Sequence, residues 1–231
     1  MKNYNDFVSE LLKAGFSLAG GGNDEDVFGL VAHSWDEEPP PGSPIRWHTG
    51  DPETDPWAWR IRVLDERTDI AYAKLFFRKA GYITKEWYPY FLSARRGDKV
   101  FEEEYEAGRI SHYAKRIYDV IVQNGSLPLH EIKRLTGFSR ADKAKFDNAL
   151  TELQMKMYLT VCGERQKRSQ MGLEHGWPSA VFCTTEQFFG EEVFEQAMEI
   201  SADEAAEKIT AQVFRLNPLA QEKKVIKFIS G

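Results

Sequence analysis

The feature that most constrains this chain is a change of hydrophobic period at Lys156. Before it, Phe146, Leu150 and Leu153 recur at helical spacing; after it, Met157 to Cys162 and Ala180 to Thr185 follow the two-residue period of strands. A helix therefore runs directly into a pair of strands, which Gly163 to Ser179 joins as a long polar connection.

Upstream of that helix the signals come in a fixed order. Ser111 is a good N-cap for a first helix whose stripe Ile117, Val120 and Ile121 stops at Asn124-Gly125. Ser126-Leu127 is long enough for one rung of sheet. Pro128 then opens a short second helix, with Leu129, Ile132 and Leu135 on its apolar face and Gly137 at its end. Gly137-Phe138-Ser139 is a tight turn whose serine is placed to cap the third helix, with Asp142 at the return position of a capping box. Helix, rung, short helix, turn, longer helix and hairpin predict a winged-helix domain over residues 109–188, a helix-turn-helix followed by a β-hairpin wing.

Residues 1–100 read as an α+β amino-terminal region. A helix is expected from about Asp6 to Ala14, and Val27 to Ala32 is the only strand-like run in a long connection from Ser17 to Asp55. Thr54-Asp55-Pro56 starts a helix with Trp57, Ile61 and Leu64 at helical spacing, of which Trp57 and Ile61 are assigned to the core. A strand follows at Ile70 to Phe77, then a turn at Lys79-Ala80-Gly81, a short strand at Tyr82-Ile83 and a helix from Thr84 to Arg96. The polar run Arg95 to Lys99 reads as a linker or loop. Residues 189–231 form carboxy-terminal helices, one capped by Ser201 with Asp203 and Glu204 in its first turn. They either close the core or form a homodimerisation arm. The expected fold class is thus α+β with an embedded winged helix.

An apolar fraction of 42% excludes a disordered chain. No stretch approaches ~18 consecutive apolar residues, and Met1 to Ala14 lacks the apolar core of a signal peptide, so no membrane association and a cytoplasmic location are expected. Cys162 and Cys183 are too few for a metal cluster or a disulfide framework, and no metal or organic cofactor is expected. The net charge is −6, but residues 109–168 carry +6 while residues 1–108 and 169–231 carry −7 and −5. One basic block between two acidic ones suits a face that meets a polyanion, and duplex DNA is the expected partner.

On the third helix, a 100° rotation per residue places Arg140, Ala144, Asn148 and Thr151 opposite the apolar stripe. Ala144 would let the helix axis approach a groove floor, Asn148 could pair with adenine, and Thr151 and Arg140 could reach base edges or phosphates. Lys143 flanks that face, and Arg165, Lys167 and Arg168 give the wing cations for the backbone. Asp147 and Glu152 oppose this reading through their charge. His175 and Trp177 are expected to fold the wing back onto the domain.

The strings Ala149-Leu150-Thr151-Glu152-Leu153 and Met157-Tyr158-Leu159-Thr160-Val161 with the basic wing, together with Trp47-His48-Thr49-Gly50-Asp51-Pro52, Pro56-Trp57-Ala58-Trp59-Arg60 and Gly176-Trp177-Pro178, resemble AlkZ-like (YcaQ-type) DNA glycosylases and, more specifically, short AlkZ-related proteins. The resemblance implies DNA repair by hydrolysis of an N-glycosidic bond, without a cofactor. It also implies a water-positioning Gln-x-Gln, Gln-x-Asp or His-x-Gln motif, and none of the glutamines or histidines of this chain has a partner at that spacing. No catalytic residue is carried over, and whether the chain is an enzyme stays open. The best substitute cluster is His48, Asp51 and Asp55 with Glu53, residue types that also form turns and helix caps. A winged helix used for protein contact or transcriptional regulation is the alternative.

Overall fold

The computed structural model describes residues 1–21, 27–167, 171–174 and 176–231. Helix α1 (Tyr4–Ala14) starts where the Asn3 side chain accepts the Asp6 N–H and stops at Gly15 in the left-handed region. A Cβ at Gly15 would lie 2.2 Å from the Trp87 indole, so both backbone and space demand glycine there. Strand β1 (Phe16–Leu18) follows, and the long connection ends at helix α2 (Pro56–Glu66). Strands β2 (Ile70–Phe76) and β3 (Lys79–Thr84), then helices α3 (Tyr88–Arg95) and α4 (Phe101–Glu106), complete the amino-terminal part.

The middle of the chain holds α5 (His112–Asn124), β4 (Leu127–Pro128), α6 (Leu129–Leu135), a 3-10 turn (Arg140–Asp142), α7 (Lys143–Met155), β5 (Leu159–Arg165) and β6 (Ser179–Thr184). Helices α8 (Thr185–Phe189), α9 (Glu192–Met198), α10 (Ala202–Leu216) and α11 (Glu222–Ser230) close it. The protein is mixed α+β, and among the described residues six strands form one antiparallel sheet in the order β1-β3-β2-β5-β6-β4. The sheet is continuous because Tyr72 of β2 pairs with Val161 of β5, and the Lys74 N–H donates to the Gln154 side chain at 3.0 Å.

Three apolar clusters lie around this sheet. One joins β1–β3 and α3 to the carboxy-terminal helices through Phe16, Phe76, Phe91, Val213 and Phe228. A second packs α5, α6 and α7 on β5 and β6 around Ile117, Ile132, Phe146 and Leu153. The third gathers Phe7, Leu11, Trp59 and Val63 under the long connection. The carboxy-terminal helices turn their apolar faces into the first cluster, leaving Met198, Leu219 and Ile226 exposed.

Several local expectations are corrected. Val27 to Ala32 makes only a single bridge, Leu18 to Gly29, because Val27 and Val31 act as buried plugs of a loop. The hairpin turns at Phe77-Arg78, both with positive φ, and Lys79 to Gly81 belong to β3. Helix α3 starts at Tyr88 because Pro89, lacking an N–H, fits only a first turn. Ser139 spends its hydroxyl on the Asp142 carboxylate at 2.6 Å and leaves the helix amides uncapped. Arg95, read as part of a linker, is half-buried at the end of α3, where its guanidinium donates to backbone carbonyls.

Candidate nucleic-acid interface

Helix α7 buries Phe146, Ala149, Leu150 and Leu153 against its own helical layer and the sheet. Arg140, Lys143, Ala144 and Asn148 are exposed. Beside them Lys133, Arg140 and Lys143 line a hollow of about 380 Å³ floored by Phe138 and Phe146, with Ser139 and, among the described residues, no carboxylate in its wall. The two carboxylates that weighed against this face are engaged. Glu152 accepts the backbone N–H and hydroxyl of Ser111 at 3.0 and 2.7 Å, anchoring the start of α5, and Asp147 lies 3.9 Å from Lys133.

Thr151 does not belong to this face. It is 3% exposed and donates its hydroxyl to the Asp147 carbonyl at 2.7 Å. Helix α7 packs on β2 as well as on α5, so its buried stripe is wider than one amphipathic face. In the wing, Arg165 is exposed at the end of β5 and Lys167 is half-buried, while Arg168 and His175 lie outside the described residues. Trp177 does not fold back into the core, being 83% exposed.

His48, Asp51 and Asp55 are brought together, though by backbone bonding. Asp55 is buried and accepts the N–H groups of His48, Gly50 and Trp57 at 3.0, 2.9 and 2.8 Å, which makes it both loop anchor and N-cap of α2. Asp51 accepts the Glu53 N–H and the Thr54 hydroxyl, and these bonds hold its carboxyl below the usual range. His48 is exposed, with its ring 5.0 Å from Trp57 and 6.4 and 6.3 Å from Trp35 and Trp47.

Those three indoles line a cavity of about 340 Å³ between the long connection, α2 and the β2–β3 hairpin. Tyr72 and Tyr82 extend its aromatic wall, and Arg60, Lys74, Arg78 and Lys79 line it together with, among the described residues, a single carboxylate, Asp36. The Trp47 indole N–H is fixed by the His33 carbonyl at 3.1 Å. The Arg60 guanidinium lies 4.0 Å over the Trp57 ring and 3.5 Å from Glu164 of β5. Arg78 donates to the Asn148 side chain, which ties the cavity to the exposed face of α7.

Sequence reasoning missed this cavity. It assigned Trp57 to the core, whereas Trp59 is fully buried and Trp57 is 44% exposed. The density of tryptophan in Trp47-His48-Thr49-Gly50-Asp51-Pro52 and Pro56-Trp57-Ala58-Trp59-Arg60 was the available signal.

The fold and this surface define a class: a mixed α+β protein in which a cationic helix face is linked to an aromatic, cation-lined cavity. The chain belongs to the AlkZ-related family, whose model matches residues 1–230. No curated protein and no solved structure matches it. Among the described residues no helix is long and apolar enough to cross a membrane.

Proposed function

We propose that this protein binds duplex DNA through a winged-helix arrangement over residues 109–188 and is a divergent relative of AlkZ-like DNA glycosylases, acting in cytoplasmic DNA repair. Helices α5, α6 and α7 with the β5–β6 hairpin supply the order of elements, and α7 is the helix that enters the major groove. The observation that carries this reading is the exposed row Arg140, Lys143, Ala144 and Asn148 beside the Lys133 hollow. Arg140, Lys133 and Lys143 neutralise phosphates, Ala144 allows close approach, and Asn148 reads a base edge once its bond to Arg78 is exchanged. Arg165 and Lys167 place the wing along the backbone. A homodimer through the carboxy-terminal helices would have to use the remaining Met198, Leu219 and Ile226 surface.

Fluorescence anisotropy with a labelled duplex tests the reading. Affinity should fall by at least tenfold between about 50 and 200 mM salt, because cations that contact phosphates release counterions. Salt-independent binding, or none, would favour the protein-contact alternative, which the exposure of Met171, Leu173 and Trp177 in the wing supports.

A further inference from the structure

We infer that the cavity walled by Trp35, Trp47 and Trp57 binds one unpaired nucleotide, its base against the indoles and its phosphate against Lys74, Arg78 and Lys79. This goes beyond the duplex reading and does not depend on it.

The size is the first argument. At about 340 Å³ the cavity falls within the range of about 300–1,000 Å³ typical of small-ligand sites, and it is too small for stacked base pairs. The second is the exposure of its walls. Trp35 is 67% and Trp57 44% exposed, and both border a recess in which a flat ring can lie against them.

Charge selects among flat ligands. Lys74 and Lys79 are exposed and form no ion pair among the described residues. Among the described residues the Nε of Arg60 is buried without a partner, although its guanidinium is held against Trp57 and paired with Glu164. With Arg60 paired to Glu164, the cations Lys74, Arg78 and Lys79 still outnumber Asp36 among the described residues, so the site repels the ammonium ligands that aromatic cages otherwise take and attracts an anion. An aromatic ring carrying a phosphate satisfies both halves of the site.

The hairpin turn supports the same assignment. Phe77 and Arg78 sit at φ +51 and +63, a backbone conformation that glycine or asparagine adopts more readily, and the turn holds Arg78 at the cavity wall. Its partner there is a neutral amide, Asn148, which a phosphate can displace.

Tryptophan fluorescence of the full chain tests this. Deoxyadenosine 5′-monophosphate should quench it saturably, with deoxyadenosine and inorganic phosphate each binding at least about tenfold more weakly. A short single-stranded oligonucleotide should compete with the monophosphate. Quenching by the oligonucleotide alone would place the nucleotide within a strand and would also support the site. Trp57→Ala, and separately Lys74→Ala with Lys79→Ala, should weaken binding about tenfold while circular dichroism shows an intact fold. Arg140→Glu with Lys143→Glu should leave it unchanged, which separates this site from the duplex face. No saturable quenching by either ligand, or equal binding by the tryptophan and lysine variants, would overturn the assignment.

Discussion

The Arg95 guanidinium donates to the Met155 carbonyl at 3.0 Å, where α7 ends, and to the carbonyls of Leu75, Phe228 and Ile229 at 2.8, 2.7 and 2.8 Å. The last carbonyls of a helix have no partner within it and carry the negative end of its dipole, so one cation serves α7, α11 and the end of β2 together. Burial pushes this guanidinium down to about 10, which still leaves it charged at neutral pH.

Arg95→Leu should therefore lower unfolding stability by about 3 kcal/mol or more, since it strands several buried carbonyls. Arg95→Lys should fall between the two, keeping the charge but not the planar fork. Urea unfolding monitored by circular dichroism measures both.

Asp55 should prove a structural rather than a catalytic carboxylate. Asp55→Ala leaves three amide N–H groups without their acceptor and should cost about 2 kcal/mol or more. A variant with unchanged melting temperature would return Asp55 to the list of catalytic candidates.

Stability should decline as the solution is acidified below about pH 6.5, through His33. His33 is 5% exposed, its Nε2 has no partner among the described residues, and burial lowers its affinity for a proton below the ordinary imidazole value; Glu37 opposes this and Arg46 adds to it. Between the folded and unfolded values the unfolded chain binds more protons, so folding stability rises with pH in that window and falls as pH drops through it. Melting curves of the wild type and His33→Gln at pH 7.5 and 5.5 should show a smaller loss in the variant.

What was legible in the sequence was local. Gly15, Asp55-Pro56, Ser111 and the change of period after Lys156 act within a few residues of themselves, and each marks an element boundary observed in the structure. What was not legible depends on distant chain. Arg95 lies in a run of Arg-Arg-Gly-Asp-Lys that looks like surface, and nothing nearby announces carbonyls from residues 75, 155, 228 and 229. Thr151 looks exposed until β2 packs on α7. The choice between Trp57 and Trp59 for the core turns on which side of α2 the long connection covers, and helical spacing is silent on that. The aromatic cavity draws Trp35 and Trp47 from the long connection, Trp57 from α2, Tyr72 from β2 and Arg78 from the hairpin turn, so no short window of sequence contains it.

Excision of alkylated bases should be absent or very slow. The water-positioning Gln-x-Gln, Gln-x-Asp or His-x-Gln motif of the resembled enzymes is missing, and loss of such positioning commonly costs orders of magnitude in rate. Alkali-induced strand scission of DNA carrying 7-alkylguanine, run beside an AlkZ-like enzyme, measures it. Robust scission would direct attention to His48→Ala and Asp51→Asn, the accessible members of the α2 cluster.

The most direct measurement for the duplex reading is the salt slope of duplex affinity in the Arg140→Glu, Lys143→Glu double variant. If α7 meets the phosphates, affinity should drop and the slope of log K against log salt should flatten by about one to two units, with the fold intact. A double variant whose affinity and slope both match the wild type would contradict the assignment of this face to DNA.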